Sequence, residues 1–453
     1  MTILPIDTGR YGTREMKLVF DEKNKLQRML DVEAALAWAH AEVGEIPRKD
    51  ADYIASKAST RYVKLKRVKE IEQEIRHETA SVVRALSEQC SSSSAYVHLG
   101  ATSYDIIDTA NALLLKEAIT LICEKQVALQ KVLIKKADRY KKTIIIGRTH
   151  GQHALPTTLG FKFAVWMREN ARNIERLEQC AERLLVGKMT GAVGTQAGLG
   201  QHGTRIQELV MKRLGIGYAD ISTQILQRDR HAELVCLLAI IASSLDNIAS
   251  EIRELQRPEI AEAFEAFEYK KQVGSSSMSQ KRNPEISERI CGLAKILRGL
   301  VVPSLENVTT WHERDLTQSS SERFTIPEAC VLIDYILFLA INVLKSLRVD
   351  EKQMQRNLMI TQGRTMAEAI MTILVKKGMN RQVALELLRQ LTVESELKGR
   401  NFEKVLAKDG RVRDFLNERE IREALNPQNY LGTAVEQVKL MIEKTKEEIA
   451  GRP

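Results

Sequence analysis

A chain of 453 residues with 44% hydrophobic and 28% charged residues has the composition of a soluble globular protein with a sizeable core, and its length predicts roughly two to four domains. Only 9 prolines and 5% aromatic residues favour long helices over a β-sandwich. The formal net charge of +9 favours anionic partners, but no basic tail or aromatic-interleaved basic stripe marks a nucleic-acid reader.

The N-terminal MTILPIDTGRYGTRE lacks the apolar core of a signal peptide. The 6 cysteines are scattered without a CxxC pair, so reduced thiols in the cytoplasm are expected rather than disulfides or a zinc site. Beyond a turn near VGEIPRKD (43–50), the basic run KLKRVK at 64–69 leads into the acidic EIEQE as a solvated helix face. Val68, Ile71, Ile75, Val82 and Leu86 form one stripe and predict an amphipathic helix over 68–86. His77 points away from that stripe, and with Arg76 and Glu78 it makes a polar cluster, either a solvated face or a group with a partner. In the turn SSSSAYVHLGATS (91–103), His98 precedes Thr102 and Ser103, which can supply donors to a ligand or simply cap a helix.

TIII at 143–146 is the nearest approach to a strand. The break GRTHGQHALP (147–156) carries Thr149, His150 and His153 ahead of a helix predicted to start near Pro156. The two histidines lack a third metal ligand; a general acid on a glycine-flanked loop fits better, with capping threonines as the plainer alternative. After a break at GKMTGAVGTQAGLG (187–200), Leu238, Ile241, Leu245, Ile248, Ile252 and Leu255 predict a helix over about 231–257, ended by Pro258 and roughly 40 Å long. Such helices need partners along their length, so the expected fold is all-α, with an extended bundle at its centre. The apolar runs VCLLAIIA (235–242) and VLIDYILFLAINVL (331–344) are too short to span a membrane, and Asp334 and Asn342 interrupt the second; both read as core helices. Further breaks fall at WHERDLTQSSSER (311–323) and LRVDEK (347–352). Three domains are predicted: 1–108, a central bundle over 109–349, and 350–453, all helical.

The loop VGSSSMSQKRNPE (273–285) sets Gly, Ser, Lys, Arg and Asn between two helical stretches. A flexible linker explains the serines but not the cations and asparagine that follow. Gly274 frees the backbone before Ser275, and a serine becomes a base only where cations and aimed N–H groups stabilise its alkoxide. Lys281 can supply charge, Asn283 can hold a carboxylate, and Glu288, beyond Pro284, can orient a histidine.

The loop, as GSSSMSQKRNP, resembles the signature of the fumarase/aspartase superfamily, roughly GSSxMPxKxNP. GRY (10–11 with Gly9), RHE (76–78), VHLGATSYDIIDTA (97–110), GRTHGQHALPTT (147–158), GAVGT (191–195), TQILQRDRH (223–231) and WHERDLTQSSSER extend the likeness in order along the chain. They narrow it to the adenylosuccinate lyase family, with little of it in the last hundred residues. The resemblance implies β-elimination of fumarate from adenylosuccinate, giving AMP, and the same cleavage of the succinyl-carboxamide ribotide of purine biosynthesis. It implies Ser275 as base, His150 as general acid paired with Glu288, His77 as a second active-site histidine, and Lys281 and Asn283 on the succinyl carboxylates. It further implies substrate contacts from Arg10, Tyr11, Arg76, Glu78, His98, Thr102, Ser103, Thr149, Gln224, Arg314, Ser319 and Arg323, an arginine-rich set suited to a phosphate and two carboxylates. No cofactor or metal is implied, nor a nucleic-acid or membrane partner; the expected assembly is a homotetramer with active sites shared between subunits. Two positions depart from the family pattern: Ser279 replaces the usual proline, which predicts a floppier loop, and Glu78 stands where close relatives have Asp. Argininosuccinate lyase shares the loop chemistry but not GRY, RHE, QRDRH or WHERD. A catalytically inactive structural protein on the same scaffold would make no demand for Ser275, Lys281, Asn283, His150 and Glu288 together.

Overall fold

The computed structural model describes residues 3–452, so Met1, Thr2 and Pro453, the ends of the first and last predicted domains, lie outside it. Helices dominate, as the periodicity predicts. The longest are Ser103–Tyr140 (38 residues), Leu159–Leu184 (26), Asp229–Leu255 (27) and Thr317–Ser346 (30), joined by Glu285–Gly299 behind the serine-rich loop. At 1.5 Å per residue the first of these is about 57 Å long. Among the described residues, strands occur only as three two-stranded pairs.

By contacts the chain forms two compact units, each assembled from separated stretches. The first comprises the described residues up to Gln126, Arg172–Leu245 and Ile290–Phe338; the second comprises Val127–Ala171, Asp246–Arg289 and the residues from Leu339 onward.

In the first unit, the helix Glu22–Glu42 buries Leu26, Met29, Leu30, Leu36 and Ala39 in one core with Ile54, Ile71, Leu86, Ile106 and Ile206. Each fully buried Leu or Ile contributes about 1.5–3 kcal/mol at most, because the unfolded chain already hides some of that surface. Asp21 starts this helix by accepting the Lys23 amide, which satisfies an otherwise orphaned donor. The predicted helix over 68–86 is two helices, Leu65–Ile75 and Glu78–Ser87. Arg76 ends the first in the left-handed region (φ 53) and His77 caps the second. The apolar stripe survives the break in part: Val68 and Ile71, then Val82 and Leu86, are buried in one core, whereas Ile75, at the end of the first helix, is exposed.

In the second unit, Ile144–Thr149 and Gln152–Thr158 form an antiparallel hairpin where a helix from Pro156 was predicted; the helix starts at Leu159. The short TIII run is its first strand, and Ile144 and Ile146 pack on Leu358 of the helix Glu351–Met359. A separate core of Ile370, Leu374, Leu387, Leu391, Phe402, Leu406 and Ile421 holds the C-terminal helices. Polar pairs cross-link the long helices inside this unit: Asn170 donates to Gln130 at 2.5 Å, and Lys162 pairs with Glu251 at 2.7 Å.

The helices Asp229–Leu255 and Thr317–Ser346 are, contrary to the short-run reading, long and apolar enough to cross a membrane; 67% and 72% of their most apolar windows are buried inside the protein, which makes them core helices here. Asp334 explains its place in the second: fully buried, it accepts the Thr13 hydroxyl at 2.5 Å and pairs with Lys125 at 2.5 Å. Burial raises the Cys90 thiol to about 11 despite the nearby Lys57, and burial together with the Asp334 charge raises the Cys330 thiol to about 12; all six cysteines are unbridged.

Candidate active site

The first unit holds a cleft of about 440 Å³ lined by Arg76, His77, Glu78, Ser103, Gln224, Arg314, Ser319 and Arg323, eight of the residues expected to act. The helix break at 76–77 puts the RHE cluster there. His77 Nδ1 accepts the Ala80 amide at 3.1 Å, so the neutral ring carries its proton on Nε2. Glu78 lies between Lys25 (2.6 Å) and Arg323 (2.5 Å). Burial pushes its carboxyl up, but the two cations outweigh burial and hold it below the usual range. The sequence predicts loop throughout 311–323; Ser319 and Arg323 instead lie on the first turns of the helix from Thr317, which fixes them on the side that carries buried Glu322.

Arg314 lies 3.9 Å from the Tyr104 ring centroid and donates to the Gln224 side-chain oxygen at 2.9 Å. Gln224 in turn donates to the Ala192 carbonyl of GAVGT at 2.9 Å. Arg228 lies 5.6 Å from the same Tyr104 ring. Fully buried, it takes a bidentate grip on Asp108 (2.9 and 3.0 Å) and lies 2.8 Å from Glu322, which also meets His231 at 3.0 Å. Burial alone would lower the Arg228 pKa; the two carboxylates reverse that and keep the cation charged. QRDRH thus acts from beneath the cleft, by fixing the aromatic ring on which Arg314 rests.

Thr102 opens the long helix at Ser103, and its amide donates to Asp105 at 2.9 Å. The same buried carboxylate accepts the amides of Thr190 (2.9 Å) and Gly191 (3.0 Å) and pairs with fully buried Lys188 at 2.5 Å. It therefore ties the ATS turn to GAVGT. His98 adopts a left-handed backbone (φ 62) and its Nδ1 meets Glu33 at 2.7 Å. Arg10 and Tyr11 belong to this unit but do not line the cleft. Arg10 is exposed and 5.9 Å from the Tyr11 ring, which contacts Tyr335. Gly12 is required beside them: its φ is +92, and a Cβ would meet Val331 at 2.7 Å.

The other predicted residues lie in the second unit. His150 and Gly151 form the hairpin turn between paired Thr149 and Gln152, with φ of 52 and 74. Two successive positive φ values suit the tight turn of a hairpin, which is why a glycine follows the histidine. Thr149 and His150 are exposed at its tip. Its base is locked by Arg148, bidentate on fully buried Glu262 at 2.8 and 2.9 Å, with Asn357 also donating to Glu262 at 2.8 Å. His153 has a buried Nδ1 without a hydrogen-bond partner, and burial followed by Arg148 lowers its pKa. Among the described residues no group of three or more His, Cys, Asp or Glu is placed to hold a metal.

In the loop, Ser275 Oγ accepts the Met278 amide at 3.1 Å, and Asn283 donates to the Gly274 carbonyl at 3.1 Å. That closure needs Gly274, because a Cβ would lie 2.1 Å from the Lys281 carbonyl oxygen. Arg282 stacks 4.2 Å from the Phe267 centroid and donates to the carbonyls of Ser279 (2.6 Å) and Lys281 (3.0 Å). Lys281 is exposed. Buried Glu265 accepts the amides of Ile286 (3.2 Å) and Ser287 (2.6 Å) at the start of the following helix. Glu288 is exposed on its first turn, and among the described residues no hydrogen bond joins it to His150.

Sequence reasoning missed Glu33, Asp105, Asp108, Lys188, Arg228, Glu262 and Glu265. Each is a buried charge whose partner lies far along the chain. The one available signal was an ionisable residue placed on an otherwise apolar helix face, as at Glu33 and Asp108.

Comparison with known proteins defines the class first. The family model described as Lyase matches residues 9–299. The structure of a fumarate lyase from Mesorhizobium sp. BNC1 superposes with a TM-score of 0.89 at 30% identity, covering 95% of this chain and 98% of that one. The protein is a lyase with the helical fold of the fumarase/aspartase superfamily. The model described as Adenylosuccinate lyase C-terminus matches residues 363–441, so the last hundred residues carry more of the likeness than their motifs suggest. Proteins named adenylosuccinate lyase from Methanothermobacter thermautotrophicus and Pyrococcus horikoshii are 49% and 51% identical over 447 residues, covering 98% and 99% of this chain and 99% of each relative. The chain belongs to the adenylosuccinate lyase family.

Proposed function

We propose that the adenylosuccinate lyase activity of this chain, the β-elimination of fumarate from adenylosuccinate to leave AMP, runs on Ser275 as base and His150 as general acid. The substrate is an anionic nucleotide. The observation that carries the reading is the full-length match, 49% identity over 447 residues, in a chain with Ser275, Lys281 and Asn283 in one loop. The cleft with Arg76, Arg314 and Arg323 supports a substrate bearing several negative charges.

Removing the proton next to a carboxylate builds an aci-carboxylate dianion. Ser275 would take that proton, and Lys281 and Asn283 would hold the carboxylate on which charge grows. His150 would protonate the departing nitrogen, with Glu288 orienting it, and His77 would present its Nε2–H to the substrate. The same residues would cleave the succinyl-carboxamide ribotide to its carboxamide product and fumarate. Arg10, Tyr11, His98, Thr102, Ser103, Thr149, Gln224 and Ser319 would complete the binding surface.

We further infer a homotetramer whose sites are shared between subunits, working in the cytoplasm. Support for association is the set of large apolar side chains left exposed in the first unit, among them Val302 (63%), Trp311 (76%), Leu316 (66%) and Phe324 (62%). Support for a reducing compartment is the set of six unbridged cysteines. The three predicted domains remain our proposed division of the chain.

The test is incubation of the purified protein with adenylosuccinate and, separately, with argininosuccinate, following fumarate. Release from adenylosuccinate is expected; release from argininosuccinate alone, or from neither, would overturn the reading.

A further inference from the structure

Helix Glu22–Glu42 contains two buried polar side chains, Glu33 and His40, seven residues apart and therefore on one face two turns apart. Both reach the same short turn. Glu33 Oε1 lies 2.7 Å from His98 Nδ1, and His40 Nε2 donates to the Leu99 carbonyl at 3.0 Å, while its other nitrogen meets Glu45 at 2.6 Å. The turn they hold is strained. His98 is left-handed at φ 62, which costs a non-glycine residue about 1–2 kcal/mol. Gly100 follows at φ 70, where a Cβ would lie 2.5 Å from the Gly198 carbonyl oxygen. Such a backbone persists only where its surroundings fix it.

Glu33 is the less expected member. It is 2% exposed, its Oε2 has no hydrogen-bond partner, and among the described residues its one ion pair is with His98. A carboxylate this buried needs a cation or a donor beside it. The His98 side chain, by contrast, keeps 20% of its surface exposed.

We propose that Glu33 is a positioning residue for His98, taking the Nδ1–H hydrogen bond so that the ring is fixed with its Nε2 edge turned to an anionic group of the substrate. The inference rests on the reading of His98 as a substrate contact. Burial by itself lowers the His98 pKa; Glu33 chiefly, then Asp105 of the helix Ser103–Tyr140, reverse this and raise it above 6.5. Glu33 contributes both by charge and by hydrogen bond, so it is the group whose removal should show.

The test uses the whole protein with 13Cε1-labelled histidine, the His98 signal being assigned by its loss in His98→Gln. Glu33→Gln keeps the shape and removes the charge. It should lower the His98 titration midpoint by about one pH unit or more, raise KM for adenylosuccinate about tenfold above neutral pH, and leave kcat within about threefold. Glu33→Asp should restore most of both, and Glu33→Gln should change nothing further in a His98→Gln background. An unmoved midpoint in folded Glu33→Gln would overturn the proposal, as would equal effects of the Asp and Gln variants. A shifted midpoint with unchanged KM in His98→Gln would instead overturn the role of His98 on the substrate. The titration itself needs no turnover, so it stands apart from failure of the proposed activity.

Discussion

In the first unit the cleft residues are gripped from several sides. Glu78 lies between Lys25 and Arg323, Arg314 rests on Tyr104, and Arg228 is buried between Asp108 and Glu322. In the second unit the residues proposed to move protons are held less tightly: His150 is exposed at a hairpin tip, and Ser275 is half-buried in a loop where, among the described residues, its oxygen accepts from the loop's own backbone amides. The contrast assigns two kinds of work. A binding surface for a multiply charged anion profits from cations fixed in advance, because the ordering cost is met on folding. Groups that must exchange protons with a substrate need to reach it, and their geometry tightens once it is bound.

The sharpest way to break the contrast is at Ser275. Ser275→Ala should lower kcat by about 10⁴-fold with KM changed little, since the serine is asked to act only in the transition state. Near-normal kcat would move the base elsewhere. His150→Gln should lower kcat by about 10³-fold, within the range for general acid catalysis, and the loss should be smaller for a substrate analogue with a better leaving group. An unchanged rate ratio between the two substrates would remove the general-acid assignment.

How much of this was legible in the sequence follows the same division. The turns were legible, because Gly, Ser, His and Pro crowd into short breaks between apolar stripes, and the breaks at 147–156 and 273–285 are where His150 and Ser275 lie. Helix boundaries there were less so. His150-Gly151 reads as loop, yet two positive φ values make it a hairpin turn, and Pro156 falls in a strand rather than opening a helix. The grip was not legible. Glu262, Asp105 and Arg228 look like ordinary surface charges until folding brings Arg148, Lys188 and Asp108 against them across 114, 83 and 120 residues.

Glu262 tests whether an exposed tip still needs a buried base. Glu262→Gln removes the charge facing Arg148 and turns one of the two oxygens that accept from it into a donor, and breaking one side of a buried pair costs about 3–5 kcal/mol. The expected outcome is a lower thermal midpoint, with hydrogen exchange quickened in 144–158 before it quickens in the 22–42 helix of the other unit. Uniform quickening in both would mean that the hairpin is not a locally held element.

The smallest effect belongs to Ser279, where the family pattern has proline. Among the described residues its N–H donates no backbone hydrogen bond, so a proline there would remove none. Its carbonyl, which proline keeps, accepts from Arg282 at 2.6 Å while that guanidinium stacks on Phe267. Arg282 thus already restrains the loop from outside, which is how it can do without the stiffer residue. Ser279→Pro should therefore stabilise by no more than about 1 kcal/mol, through the unfolded chain, slow proteolytic cleavage inside 273–285, and leave kcat within about threefold. Arg282→Ala should speed that cleavage, and Ser279→Pro should then offset it. A tenfold fall in kcat for Ser279→Pro alone would show that turnover needs a backbone shape at this position that proline forbids, so that the loop's freedom, and not only its serine and lysine, belongs to the mechanism.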